Sequence, residues 1–90
     1  MQEISEEVRV VNKLGVHARP AAALVQCVLE FESDVFLLFN GSRVNAKSIM
    51  GLLTLAATQG SRMTVSCKGS DAEAAMKAVK ALFAGGFGES

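Results

Sequence analysis

No tryptophan and no tyrosine occur in these 90 residues, and all five aromatic side chains are phenylalanine. Sequence-specific RNA binders stack bases on aromatic platforms, and this chain has few to offer. An excess of charge of either sign is missing too, because nine basic and nine acidic residues cancel. Nucleic acid usually demands a basic face, so it is not an expected partner. Cysteine is scarce: Cys27 and Cys67 stand far apart and match no metal or redox spacing. With one histidine in the chain, no zinc site is expected, and no other metal or cofactor is implied. Both cysteines read as small buried core residues. Long apolar runs are absent as well. Val35 to Phe39 is far too short to span a bilayer, so no membrane association is expected. Met1-Gln2-Glu3-Ile4-Ser5-Glu6-Glu7 is acidic and does not read as a signal peptide, which suits a cytoplasmic protein.

What is present is enough apolar material for one core. Half of the residues are hydrophobic. A chain of this length buries about 60–65% of its unfolded surface, so residues 1–90 read as one domain of modest stability. Ile4 to Val11 reads as a strand, with Val8, Val10 and Asn12 on one face. Ala21, Leu24, Val25 and Val28 then recur at helical spacing, which predicts a helix from Ala18 to about Glu30. Val35 to Phe39 is a second strand. Asn40-Gly41 is a strong hairpin signal, and Ser42 to Asn45 returns as a third strand. Ser48 opens a second helix, Ile49 to about Thr58, with Gly60 placed to close it. This helix has more apolar residues than one face can bury. Some of Ile49, Met50 and Leu53 should stay in water, and such a patch often marks a partner surface. Arg62 to Lys68 alternates as a fourth strand, with Met63, Val65 and Cys67 facing in. Ser70-Asp71-Ala72-Glu73 has a capping-box pattern. A third helix follows, with Ala72, Ala75, Met76, Val79, Leu82 and Phe83 on one face and a Glu73–Lys77 pair on the wet side. Gly85-Gly86 stops it, and Phe87-Gly88-Glu89-Ser90 is a short tail. The order is βαββαβα. The expected fold is α+β with the helices on one face; strands one and two, joined by a helix, need either a direct right-handed crossover or a strand between them, and strand four can fill that gap antiparallel to both.

The stretch Leu14-Gly15-Val16-His17-Ala18-Arg19-Pro20-Ala21 concentrates the chemistry. It holds the only histidine and the only proline, at the junction of a strand pattern and a helical one. Pro20 fits a first helical turn, where its missing N–H has no intrahelical partner to lose. The backbone N–H groups of Ala18 and Arg19 are then bare. A helix start carries about half a positive charge and takes anions readily. Arg19 adds a planar donor fork suited to phosphate. A lone histidine near a helix start is ordinarily a cap or a surface residue. His, Arg and Pro together on one start point further, to an imidazole that accepts and passes on a phosphoryl group. No carboxylate lies near His17 in sequence, so an acid–base enzyme is not expected.

Two segments resemble the HPr family, the histidine-containing phosphocarriers of the bacterial sugar phosphotransferase system. Asn12-Lys13-Leu14-Gly15-Val16-His17-Ala18-Arg19-Pro20-Ala21 is similar to that family's phosphorylation-site motif. Asn45-Ala46-Lys47-Ser48-Ile49-Met50-Gly51-Leu52 is similar to its second motif, around a regulatory serine. The resemblance covers nearly the whole chain and implies an open-faced β-sandwich with a mainly antiparallel four-stranded sheet. It implies a protein that takes phosphate from phospho-Enzyme I on the Nδ1 atom of His17 and hands it to Enzyme IIA domains; a monomer is the default expectation. Ala18 and Arg19 would hold the phosphate. Gln26, Ile49, Met50 and Leu53 would supply the docking surface. Ser48 would be a target of a kinase/phosphorylase, unless it simply caps its helix. Ala21-Ala22-Ala23 and the Gly-Phe-Gly-Glu tail are shared with the nitrogen-related branch, which uses the same chemistry with another acceptor. Relatives without the histidine act as corepressor partners through the serine-bearing helix, a role that can coexist with transfer.

Overall fold

The computed structural model describes residues 2–89. Four strands form one sheet: β1 (Gln2–Arg9), β2 (Asp34–Phe39), β3 (Ser42–Asn45) and β4 (Arg62–Gly69). Three helices join them: α1 (Ala18–Val28), α2 (Ile49–Thr54) and α3 (Ala72–Ala84). The strand order is β1-β4-β2-β3, and every neighbouring pair is antiparallel. Strand four therefore lies between one and two, the second of the two arrangements that the connectivity allows. Register follows the pleat. Met63, Val65 and Cys67 alternate inward on β4 and meet Val8 on β1 and Val35 and Leu37 on β2, all buried. A slip of one residue would turn that whole set to water. Asn40 and Gly41, with φ of 50° and 79°, make the tight turn between β2 and β3.

The helices cover the inner face of this sheet. Pro20, Ala21, Leu24 and Val28 of α1 are buried, with Val25 half-buried beside them. Ala72, Ala75, Met76, Val79 and Phe83 of α3 are buried, with Leu82 half-buried. Cys67 lies in this core and burial, with the charges of Asp71 and Glu6, pushes its thiol up to about 11. Cys27, expected inside, is only half-buried. Both thiols are free.

Besides Cys27, the structure departs from the sequence reading of these elements in four places. First, α2 ends at Thr54, not near Thr58. Leu55 and Ala57 must both reach the core, and they do so from a chain that bends at Ala56, whose φ is 51°. Second, Gly60 does not close the helix; its N–H donates to the carbonyl of Val10 at 2.7 Å and extends the β1–β4 contact past the strand end. Third, no capping box forms on α3. The N-cap is Asp71, whose side chain makes no cap bond. Its carboxylate accepts the N–H groups of Glu32 and Ser33, each at 2.9 Å, and the Ser33 hydroxyl. It clamps the α1–β2 turn to the start of α3. Glu73, expected to pair with Lys77, accepts from Gln2 Nε2 at 3.1 Å instead. Fourth, the stretch read as a short tail carries a helical turn of its own as far as it is described. Gly86–Gly88 form one 3-10-type turn, Phe87 is buried, and its ring lies 4.8 Å from that of Phe83 in an edge arrangement. Ser90, the last tail residue, lies outside the described residues.

Candidate functional site

The loop between β1 and α1 is tied down before it reaches the histidine. Val16 donates its N–H to the carbonyl of Ala57 at 2.9 Å. Gly15, with φ of 70°, passes so close to the Ala57 carbonyl that a Cβ there would collide with it. Only glycine meets both demands. His17 follows as the N-cap of α1, in extended conformation, and its carbonyl accepts the Ala21 N–H at 2.9 Å. Its side chain makes no cap bond and is free to point elsewhere.

The ring is not packed inward; its side chain is 36% exposed. Neither Ala18 N–H nor Arg19 N–H meets a backbone acceptor among the described residues, and Pro20 has none to offer. Both Ala18 and Arg19 are exposed. The bare helix start anticipated from the sequence is therefore present beside the imidazole.

One partner was not anticipated. Nε2 of His17 lies 3.0 Å from Oε1 of Glu89, so the absence of a carboxylate near His17 in sequence does not hold in space. The same Oε1 accepts from Asn12 Nδ2 at 3.0 Å, and Asn12 Nδ2 also donates to the Gly15 carbonyl at 2.8 Å. Partial burial opposes the charged form of Glu89. The hydrogen bonds from His17 and Asn12 and the positive charge nearby, Arg19 included, outweigh it and hold the carboxyl below its usual value. Nδ1 of His17 has no hydrogen-bond partner among the described residues.

The second motif lies close in sequence to this loop's support. Ser48 is the N-cap of α2, and its hydroxyl accepts the Gly51 N–H at 3.2 Å. Beyond it Met50 is 70% exposed, and Ile49 and Leu53 keep 39% and 38% of their surface in water. Leu14, on the site loop, is 75% exposed, an apolar residue that periodicity alone did not single out. Gln26 is exposed on α1, two turns past Arg19. No cluster of side chains suited to a metal ion occurs among the described residues. No helix among them is long and apolar enough to cross a membrane.

Fold and site together define a class: an open-faced sandwich of one antiparallel sheet and three helices that presents a half-exposed imidazole at a bare helix start. A family model described as the PTS HPr component phosphorylation site matches residues 4–85. The chain belongs to the HPr family, the phosphocarrier proteins of the phosphotransferase system. It is 45% identical to the phosphocarrier protein HPr of Treponema pallidum, across 96% of this chain and 98% of that one. It is 46% identical to the HPr of Xylella fastidiosa, across 96% and 97%. The crystal structure of HPr-C-His from Thermoanaerobacter tengcongensis superposes with a TM-score of 0.89 at 41% identity, covering 100% of this chain and 99% of that one.

Proposed function

We propose that His17 accepts a phosphoryl group from phospho-Enzyme I on Nδ1 and passes it to an Enzyme IIA domain. The observation that carries this is a solvent-reached ring whose Nε2 is occupied and whose Nδ1, like the two amides of the helix start, has no partner among the described residues. The Ala18 amide and the Arg19 amide and guanidinium receive the phosphate oxygens. The helix end contributes about 0.3–1 kcal/mol to holding the anion, enough to steady the group and not enough to trap it. The protein is a carrier and not a catalyst, since the group it gains must leave again. Residues 1–90 act as a single phosphocarrier domain, as a monomer in the cytoplasm.

Gln26, Ile49, Met50 and Leu53 form the docking surface for both partners. Apolar side chains left in water beside a reactive group lose little on association and gain contact area. Ser48 is the regulatory position. A phosphoserine there adds about −1.5 to −2 charges at the edge of that surface and obstructs docking when a kinase/phosphorylase is present.

The test is transfer kinetics with purified Enzyme I, phosphoenolpyruvate and candidate IIA domains. The native chain gains an acid-labile, base-stable phosphate and His17→Ala gains none. Equal labelling of the two chains would overturn the reading. The acceptor that discharges the protein fastest separates the sugar branch from the nitrogen-related one.

A further inference from the structure

We infer that Glu89 is a positioning residue for transfer at His17: its carboxylate selects the Nε2–H tautomer and then serves as counter-ion to the phosphorylated ring. This rests on His17 as the phosphate carrier and concerns what makes its Nδ1 competent.

An ionised carboxylate can only accept hydrogen bonds. At 3.0 Å the partner must be an Nε2–H. In the neutral ring the other nitrogen, Nδ1, then carries the lone pair. The contact is built and not incidental. Glu89 is held by Asn12, a residue only 2% exposed, whose amide also grips the site loop at Gly15. The tail reaches this point through three successive positive φ angles, 62° at Gly86, 57° at Phe87 and 77° at Gly88. For phenylalanine the left-handed region costs about 1–2 kcal/mol. Burial of its ring against Phe83 offsets that cost. A strained turn persists where its surroundings over-determine it, and here it brings residue 89 back across the chain to residue 17.

The consequence is a transfer in which no proton has to move. In the first half the Nδ1 lone pair forms the N–P bond, and the donor's bond to phosphorus breaks with its electron pair returning to the donor. Nε2 keeps its hydrogen, so the ring gains one positive charge, which the Glu89 carboxylate balances. In the second half the acceptor's lone pair bonds to phosphorus. The Nδ1–P bond breaks and its pair returns to Nδ1, leaving the neutral Nε2–H ring. Without the carboxylate the phosphorylated ring sheds the Nε2 proton to water and must regain it before it can leave readily. The charged groups on segments packed about the ring are Glu89 of the tail, Arg19 of α1 and Lys13 of the site loop. Among these only Glu89 is negative.

Glu89→Gln keeps the shape and an acceptor oxygen but removes the charge. Both proteins are loaded with phosphoramidate as a chemical donor and, separately, with Enzyme I and phosphoenolpyruvate. Ring 15N NMR then reads the tautomer before loading and the Nε2 proton after it. The native ring is expected as one Nε2–H tautomer that keeps this proton when phosphorylated, even at mildly alkaline pH. The variant should show mixed tautomers, lose the proton and discharge on the order of tenfold or more slowly, as when a carboxylate that orients a reactive imidazole is neutralised. Its backbone amide spectrum should be unchanged away from the tail. Loading of both proteins with the same tautomer, the same Nε2 proton and the same discharge rate overturns the role of Glu89 alone. A native ring that takes no phosphate overturns the carrier reading and this inference with it.

Discussion

Gly15 and Arg19 flank the histidine and answer to different forces. Gly15 sits where a side chain would meet both a left-handed backbone and the Ala57 carbonyl. Gly15→Ala should destabilise the fold by roughly 2 kcal/mol or more, read as a lower urea midpoint with an unchanged slope. It should also blunt transfer by shifting the loop that carries His17. Arg19 is exposed and forms no ion pair among the described residues, so its removal strips charge from the site and leaves the packing alone. Arg19→Ala should keep the unfolding midpoint and lower the rate of phosphoryl transfer severely. An unaltered rate in stopped-flow transfer assays would remove it from the site. Neither Gly15's contact with Ala57 nor Glu89's with His17 could be read from local pattern. The first joins two loops, and the second joins residues 72 positions apart. The only trace of the second is Phe87, an apolar residue between glycines, four positions past Phe83.

Among the elements, α2 combines a short helix with an exposed apolar face. Six residues are too few to stand alone, so the helix depends on Leu52 and Leu55 reaching the core. Its outward residues are then available to a partner at little cost. Met50→Glu should leave the fold intact and weaken binding to Enzyme I about tenfold or more, measured by calorimetry. Sequence patterning located the four strands and the three α-helices, because alternation and the 3.6 repeat report directly which side chains are buried. The end of α2 escaped that logic. Leu55 and Ala57 go inward from a chain that has already left the helix, and an apolar residue in sequence does not say which backbone delivers it. The start of α3 escaped it as well. Asp71 has the right chemistry for a cap and spends it on the α1–β2 turn instead. That use has a pH signature. The Ser33 hydroxyl first, then the Glu32 and Ser33 amides, hold the Asp71 carboxyl below its usual value of 3.8. A group whose folded value is depressed stabilises the fold fully above its unfolded value and less as pH falls through the folded one. Thermal midpoints should therefore hold down to the region of 3.8 and then fall. Asp71→Asn should flatten that acid decline; an identical decline in the variant would show that the clamp is not its source.

Across the whole molecule, the sheet and the core serve to bring three loops to one end. The β1–α1 loop carries His17, the loop after α2 supplies the Ala57 carbonyl that holds it, and the tail after α3 supplies Glu89. The fold class followed from the order of elements; that order allowed two strands joined by a helix either a direct crossover or a strand between them, and the sheet takes the second, with β4 in the gap. The imidazole and its helix start were likewise visible as a local motif. Their carboxylate was not, because only the closed fold brings the C-terminal tail to the β1–α1 loop. Every proposed step passes through His17 as the point of phosphate attachment. Phosphorus NMR of the native chain, after incubation with Enzyme I and phosphoenolpyruvate, measures this directly. A single phosphoramidate signal coupled to the Nδ1 side of the His17 ring is the predicted result. A phosphate on any other side chain, or no signal with an active Enzyme I, would contradict it.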